Sequence, residues 1–150
     1  MSTTVKIIIG SLTLLLAVSI GSAWLWWQRS GSEYVRDAQL QYAEGRKQGA
    51  DLDEQGCFDK AIVVHRSESG QTFGGALRNS LVFGGCLETS RPAPQFCEGV
   101  PAKGEMVATG QWGAKVCGQL GFKDPYCPQL TNSIAEYCSS STRKAKVAPK

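Results

Sequence analysis

Histidine occurs once in the 150 residues, methionine twice, and no two cysteines are spaced CxxC. A catalytic serine or cysteine needs a positioned base and a third group that orients it, and nothing in the chain accompanies His65 in that way. His65 is expected at a helix C-terminus, where an imidazole favours the helix dipole. The missing CxxC argues against a thioredoxin-like redox site and against zinc. Asp51, Asp53 and Glu54 lack the spacing of a calcium loop and read as a solvated helix face. There is no internal repeat. No enzyme activity, cofactor, metal, nucleic acid or small-molecule substrate is expected.

Charge is absent from Ile7 to Gln28, a run reading IIIGSLTLLLAVSIGSAWLWWQ between Lys6 and Arg29. A helix of that length reaches roughly 30 Å, the thickness of a bilayer core. The run therefore predicts a transmembrane signal anchor over 7–28, with residues 1–6 as a cytoplasmic N-terminus. Trp24, Trp26 and Trp27 would form the aromatic belt. The alternative is a signal peptide cleaved near Ala23, after Gly21-Ser22, which releases a secreted domain. The tryptophans that continue the apolar run beyond Ala23 favour the uncleaved form.

All six cysteines follow this run, and an even count without metal spacing implies disulfides in an oxidising space. The expected topology is a single-pass membrane protein, its N-terminus cytoplasmic and its C-terminal domain extracytoplasmic (at the periplasmic face of the inner membrane if bacterial). The net charge of +3 is carried by Arg143, Lys144, Lys146 and Lys150 at the extreme C-terminus, so the body is near neutral.

The remaining chain suffices for one domain. Residues 29–56 are expected to form a helical stalk. Tyr34 to His65 reads as one long helix or two collinear ones, with Val35, Ala38, Tyr42, Gly45, Gly49, Leu52 and Gly56 on a narrow stripe. So much interior glycine weakens a helix and calls for a partner surface. Ser67–Gly70 is a break, and Thr72 caps a second helix, Phe73 to Leu87, whose single charge is Arg78. A third helix is expected from Pro101 to Leu120, stopped by Gly121. A fourth opens at Asp124-Pro125 and Pro128 and ends near Cys138, with Tyr126 and Tyr137 closing it onto the third. Residues 139–150 read as a disordered basic tail. The fold class is thus all-α: the transmembrane helix, then an extracytoplasmic domain (57–138) of about four helices in two disulfide-stapled hairpins.

Six cysteines allow 15 pairings. Cys127 and Cys138 lie on nearly one face of the fourth helix and so face one neighbour, the antiparallel third helix. This pairs Cys117 with Cys127 across the turn, Cys97 with Cys138 outside it, and leaves Cys57 with Cys86. Because Cys117 and Cys127 straddle the turn, the pattern departs from twin-cysteine helical hairpins of the coiled-coil-helix type.

Trp112, between Gln111 and Gly113, reads first as core and second as an interaction residue. Arg143, Lys144 and Lys146 are candidates for contact with anionic surfaces. The expected function is a non-enzymatic, membrane-anchored binding or assembly module, an accessory subunit of an envelope or membrane complex with an unnamed protein partner. The alternative is an immunity-type inhibitor of a secreted toxin or hydrolase.

Overall fold

The computed structural model describes residues 3–148, apart from the side chains of residues 3–11, 14, 29, 30, 68 and 69. Among the described residues the chain is all-helical. It comprises α1 (Thr3–Trp26), a π-helical turn (Trp27–Gly31), α2 (Ser32–Gly49), α3 (Glu54–Arg66), a 3-10 turn (Glu68–Gln71), α4 (Phe73–Thr89), α5 (Met106–Gln119), α6 (Cys127–Cys138) and α7 (Ser141–Val147). It divides into two compact units, Met1–Asp37 and Ala38–Lys150.

In the first unit, Leu15, Leu16, Val18, Trp24 and Trp26 are among the exposed side chains of α1. Among the described residues no helix is long and apolar enough to cross a membrane, which overturns the transmembrane segment expected at 7–28. The run includes Thr13, Ser19, Gly21 and Ser22, and part of it (7–11 and 14) lies outside the described side chains. Ser19 and Ser22 turn their hydroxyls back onto the carbonyls of Leu15 (2.8 Å) and Ser19 (3.0 Å).

The second unit is organised around α4. Asn79 Nδ2 donates to the Ala61 carbonyl (2.9 Å) and Cys57 is bonded to Cys86, so α3 runs antiparallel to α4. Arg78 Nε donates to Gln41 Oε1 (2.8 Å) and Thr89 Oγ1 to the Arg46 carbonyl (2.7 Å), so α2 runs parallel to it. The two helices expected to be collinear therefore fold back on each other across α4. The glycine stripe explains the α2 contact. A Cβ at Gly45 or Gly49 would collide with the backbone carbonyl of Val82 or Cys86, and one at Gly85 with that of Tyr42. Small residues let helix backbones meet at this distance, and the partner surface that α2 needs is α4. Residues 38–56 thus belong to the compact unit rather than to a stalk.

The corner between α2 and α3 is held by the segment leaving α4. Glu54 N donates to Arg91 O (3.0 Å), Arg91 N to Leu52 O (2.9 Å), and Asp53 pairs with Arg91 in an isolated bridge. Asp53 caps α3 by accepting from Gly56 N at 2.7 Å, and Thr72 caps α4 by accepting from Gly75 N at 3.2 Å. The core gathers Phe83 and Leu87 of α4, Ala61 and Ile62 of α3, and Leu130, Ile134 and Tyr137 of α6.

The second hairpin is α5 and α6. Gly121, at φ +79°, ends the first of them with Phe122 N donating to Cys117 O (3.0 Å), a Schellman-type stop. The helix expected from Pro101 begins only at Met106. Gly104 has φ +98°, and Glu105 Oε2 accepts from Ala102 N (3.2 Å), so residues 101–105 turn instead of coiling. Cys97 consequently reaches α6 from a loop.

The C-terminal segment is the largest correction to the domain plan. Ser140 accepts from Arg143 N (3.2 Å) and caps α7, so the stretch expected to be disordered is helical through Val147; Pro149 and Lys150 lie outside the described residues. Tyr137 and Tyr126 turn towards the first hairpin rather than towards α5: Tyr137 bonds Glu54, and Tyr126 packs near Phe73 with ring centroids 6.4 Å apart.

Candidate functional site

The bridges are Cys57–Cys86, Cys97–Cys138 and Cys117–Cys127, with Cα separations of 5.8, 5.6 and 6.0 Å. These are the pairs read from the spacing. The first ties both walls of one hairpin together at the floor of a groove of about 540 Å³, bounded by α2 (from Gln41), α3 and α4. This volume falls in the range of ligand sites.

Three sequence features shape the groove. The Gly45/Gly49 contact draws α2 onto α4, the Cys57–Cys86 bond draws α3 onto the same helix, and Gly74 leaves the open end unobstructed. Its floor is Ala61, Phe83 and the disulfide, each under 5% exposed. Its rim carries Gln41, Glu44, Gln48, Lys60 and Arg78. Gln48 Nε2 donates to the Glu44 carboxylate at 3.3 Å, and Lys47 Nζ stands 4.0 Å from it. Arg78 is oriented by Gln41 but has no carboxylate partner among the described residues, and neither has Lys60. Among the described residues, then, two cations of the groove, Lys60 and Arg78, have no carboxylate within ion-pair distance.

A second polar cluster lies inside. Glu54 is fully buried. It accepts from Tyr137 Oη (2.8 Å) and Ala93 N (2.9 Å), and Arg143 Nε stands 2.6 Å from Oε1 as an ion-pair partner without an aligned N–H bond. Arg143 Nη2 donates to Ala93 O (3.3 Å). Lys146 Nζ donates to the carbonyls of Leu87 (2.8 Å) and Ser90 (2.7 Å) and to Tyr137 Oη (3.0 Å). Burial, with the Glu54 carboxylate, pushes the Tyr137 phenol well up, and burial pulls the Lys146 ammonium down. Glu54 is thus the reverse of the solvated residue expected, and Arg143 and Lys146 are structural rather than free for anionic surfaces. Lys144 stays exposed.

His65 is also fully buried, its Nε2 facing both Asp124 carboxylate oxygens at 3.1 and 3.2 Å and its ring edge-on to Phe122. Burial pushes the Asp124 carboxyl up. The N–H groups of Tyr126, His65 and Cys127 outweigh that and hold it below the usual carboxylate range. The pair ties the end of α3 to the start of α6. Trp112 packs half-buried against the core, and the space beside Gly113 is filled by Thr131 of α6.

The groove residues left few traces in the sequence. Arg78 stood out as the single charge in an apolar helix, but Lys60 and Gln41 resemble any solvated helical side chain until α2 folds back. Among the described residues no group of His, Cys, Asp and Glu could hold a metal ion. No protein-family model, curated protein or solved structure matches the chain.

Proposed function

We propose that this chain is a non-enzymatic binding module of an oxidising, extracytoplasmic compartment, serving as an accessory or assembly subunit of an envelope complex. The observation that carries the reading is the groove. It is walled by two helices pinned to a third, and its rim carries two exposed cations without an ion-pair partner among the described residues, while the buried Glu54 and Arg143 and the half-buried Asp124 are consumed in holding the fold. A preformed, mostly apolar cleft with a few oriented polar groups is the usual build of a binding site. The compartment is supported by six bonded cysteines, since such bonds persist where thiols are not kept reduced.

Site-specific photo-crosslinking in the producing cell tests this. A photoreactive residue at Gln48, on the groove rim, should give a discrete adduct that one at Lys144, exposed outside it, does not. Identical adducts from both positions, or none from Gln48, would reject the groove as the working surface.

A further inference from the structure

On the reading that this groove is the binding site, we propose that its ligand is an extended, acidic peptide segment of a partner protein, with a carboxylate between Lys60 and Arg78 and apolar side chains directed at the floor. Lining, length and charge each narrow the choice. The floor residues Ala61, Phe83, Cys57 and Cys86 are apolar and nearly closed to solvent, and the polar groups stand on the walls above them. A helix spends its backbone donors and acceptors internally, whereas an extended chain offers them to the polar walls and turns alternate side chains towards the floor. The walls carry the carboxamides of Gln41 and Gln48 and the carboxylate of Glu44. An acyl chain would strip water from those groups and return no hydrogen bonds, whereas a peptide backbone supplies a donor and an acceptor at every residue.

Charge selects among peptides. The rim carries two cations against one carboxylate, Glu44, which accepts from Gln48 and has Lys47 Nζ 4.0 Å away. Gln41 fixes the guanidinium of Arg78 through Nε alone, leaving the terminal nitrogens for the fork that matches a carboxylate. Lys60 lies one position before Ala61, whose carbonyl is bonded to Asn79 beside Arg78, so both cations stand at one level of the groove. The groove follows α4 from Thr72 to Cys86, about 21 Å, which an extended chain spans with about six residues.

The test is fluorescence anisotropy on the full, oxidised chain with three labelled hexapeptides, alternating leucine with glutamate, glutamine or lysine. Two partly exposed ion pairs should make the glutamate peptide bind roughly tenfold tighter than the glutamine peptide, with the lysine peptide weakest and the preference fading in high salt. The double variant Lys60→Glu, Arg78→Glu should reverse the order. Lys60→Gln, which leaves the Arg78–Gln41 bond intact, should weaken glutamate binding alone. Equal affinities, an order that survives charge reversal, or displacement of the peptide by sodium dodecanoate but not by unlabelled peptide would each overturn the proposal. If no peptide binds while the Gln48 crosslink persists, this inference falls and the groove assignment stands.

Discussion

Removing the Glu54 carboxylate should cost this domain much of its stability, and the size of the loss follows from what surrounds it. Glu54→Ala strips the acceptor from Tyr137 Oη and Ala93 N and leaves Arg143, itself buried, without a counter-ion. Breaking a buried ion pair from one side costs about 3–5 kcal/mol, and an orphaned buried hydroxyl adds about 1–3 kcal/mol. Against a typical total of about 5–15 kcal/mol, the variant sits near its unfolding threshold. Glu54→Gln still accepts from Tyr137 but cannot neutralise Arg143, so it should lose about 3 kcal/mol, lowering the melting temperature by roughly 12 °C. Two further variants isolate the cause. Truncation after Ser139 should be about as damaging as Glu54→Gln, because it leaves the carboxylate buried alone. Glu54→Met with Arg143→Met should recover most of the loss, because an apolar pair of similar volume does not need the charges. Thermal and urea unfolding followed by circular dichroism give the numbers. A truncated chain that melts with the full-length one would refute the reasoning, since α7 would then be the disordered tail that its composition suggests.

Three other outcomes follow from the same geometry. Gly45→Ala and Gly49→Ala should each destabilise by about 1–3 kcal/mol by forcing α2 off the α4 carbonyls, whereas Gly74→Ala, which meets nothing, should be neutral or stabilise by up to about 1 kcal/mol; equal melting shifts at the three sites would contradict the close contact. Replacing Cys97 and Cys138 together should lower the melting temperature more than replacing Cys117 and Cys127, because the loops closed are 41 and 10 residues and the entropy difference is about 1 kcal/mol; the reverse order in calorimetry would count against the loop-entropy account. Asp124 has a folded pKa below its unfolded value, so its contribution is complete above about pH 4 and is lost as the pH falls through the folded value. Asp124→Asn should flatten that part of the acid-unfolding profile, and an unchanged profile would remove Asp124 from the linkage.

The sequence by itself determined those features that depend on neighbours along the chain. Thr72 at the start of α4, Gly121 at the end of α5, and Pro125 and Pro128 around the start of α6 act within one turn of the backbone, and they set the boundaries of the two hairpins. Cysteine spacing reached further, because helical periodicity converts a separation of residues into a direction on the helix. Only the tertiary structure decided the rest. That Gly45 and Gly49 meet α4 rather than solvent depends on the chain turning at Ala50–Asp53, which is fixed by backbone bonds to Arg91, far away in sequence. Whether Glu54 is solvated or buried depends on Tyr137 and Arg143, which lie more than 80 residues on. The basic segment after Cys138 looked like a solubilising tail because charge without apolar residues ordinarily stays in water. It folds because Glu54 and the carbonyls at the end of α4 await its cations. A lysine or an arginine has the same letter in either setting; only the packed chain places an acceptor beside it, and that acceptor decides whether the charge orders the backbone or remains free for a partner.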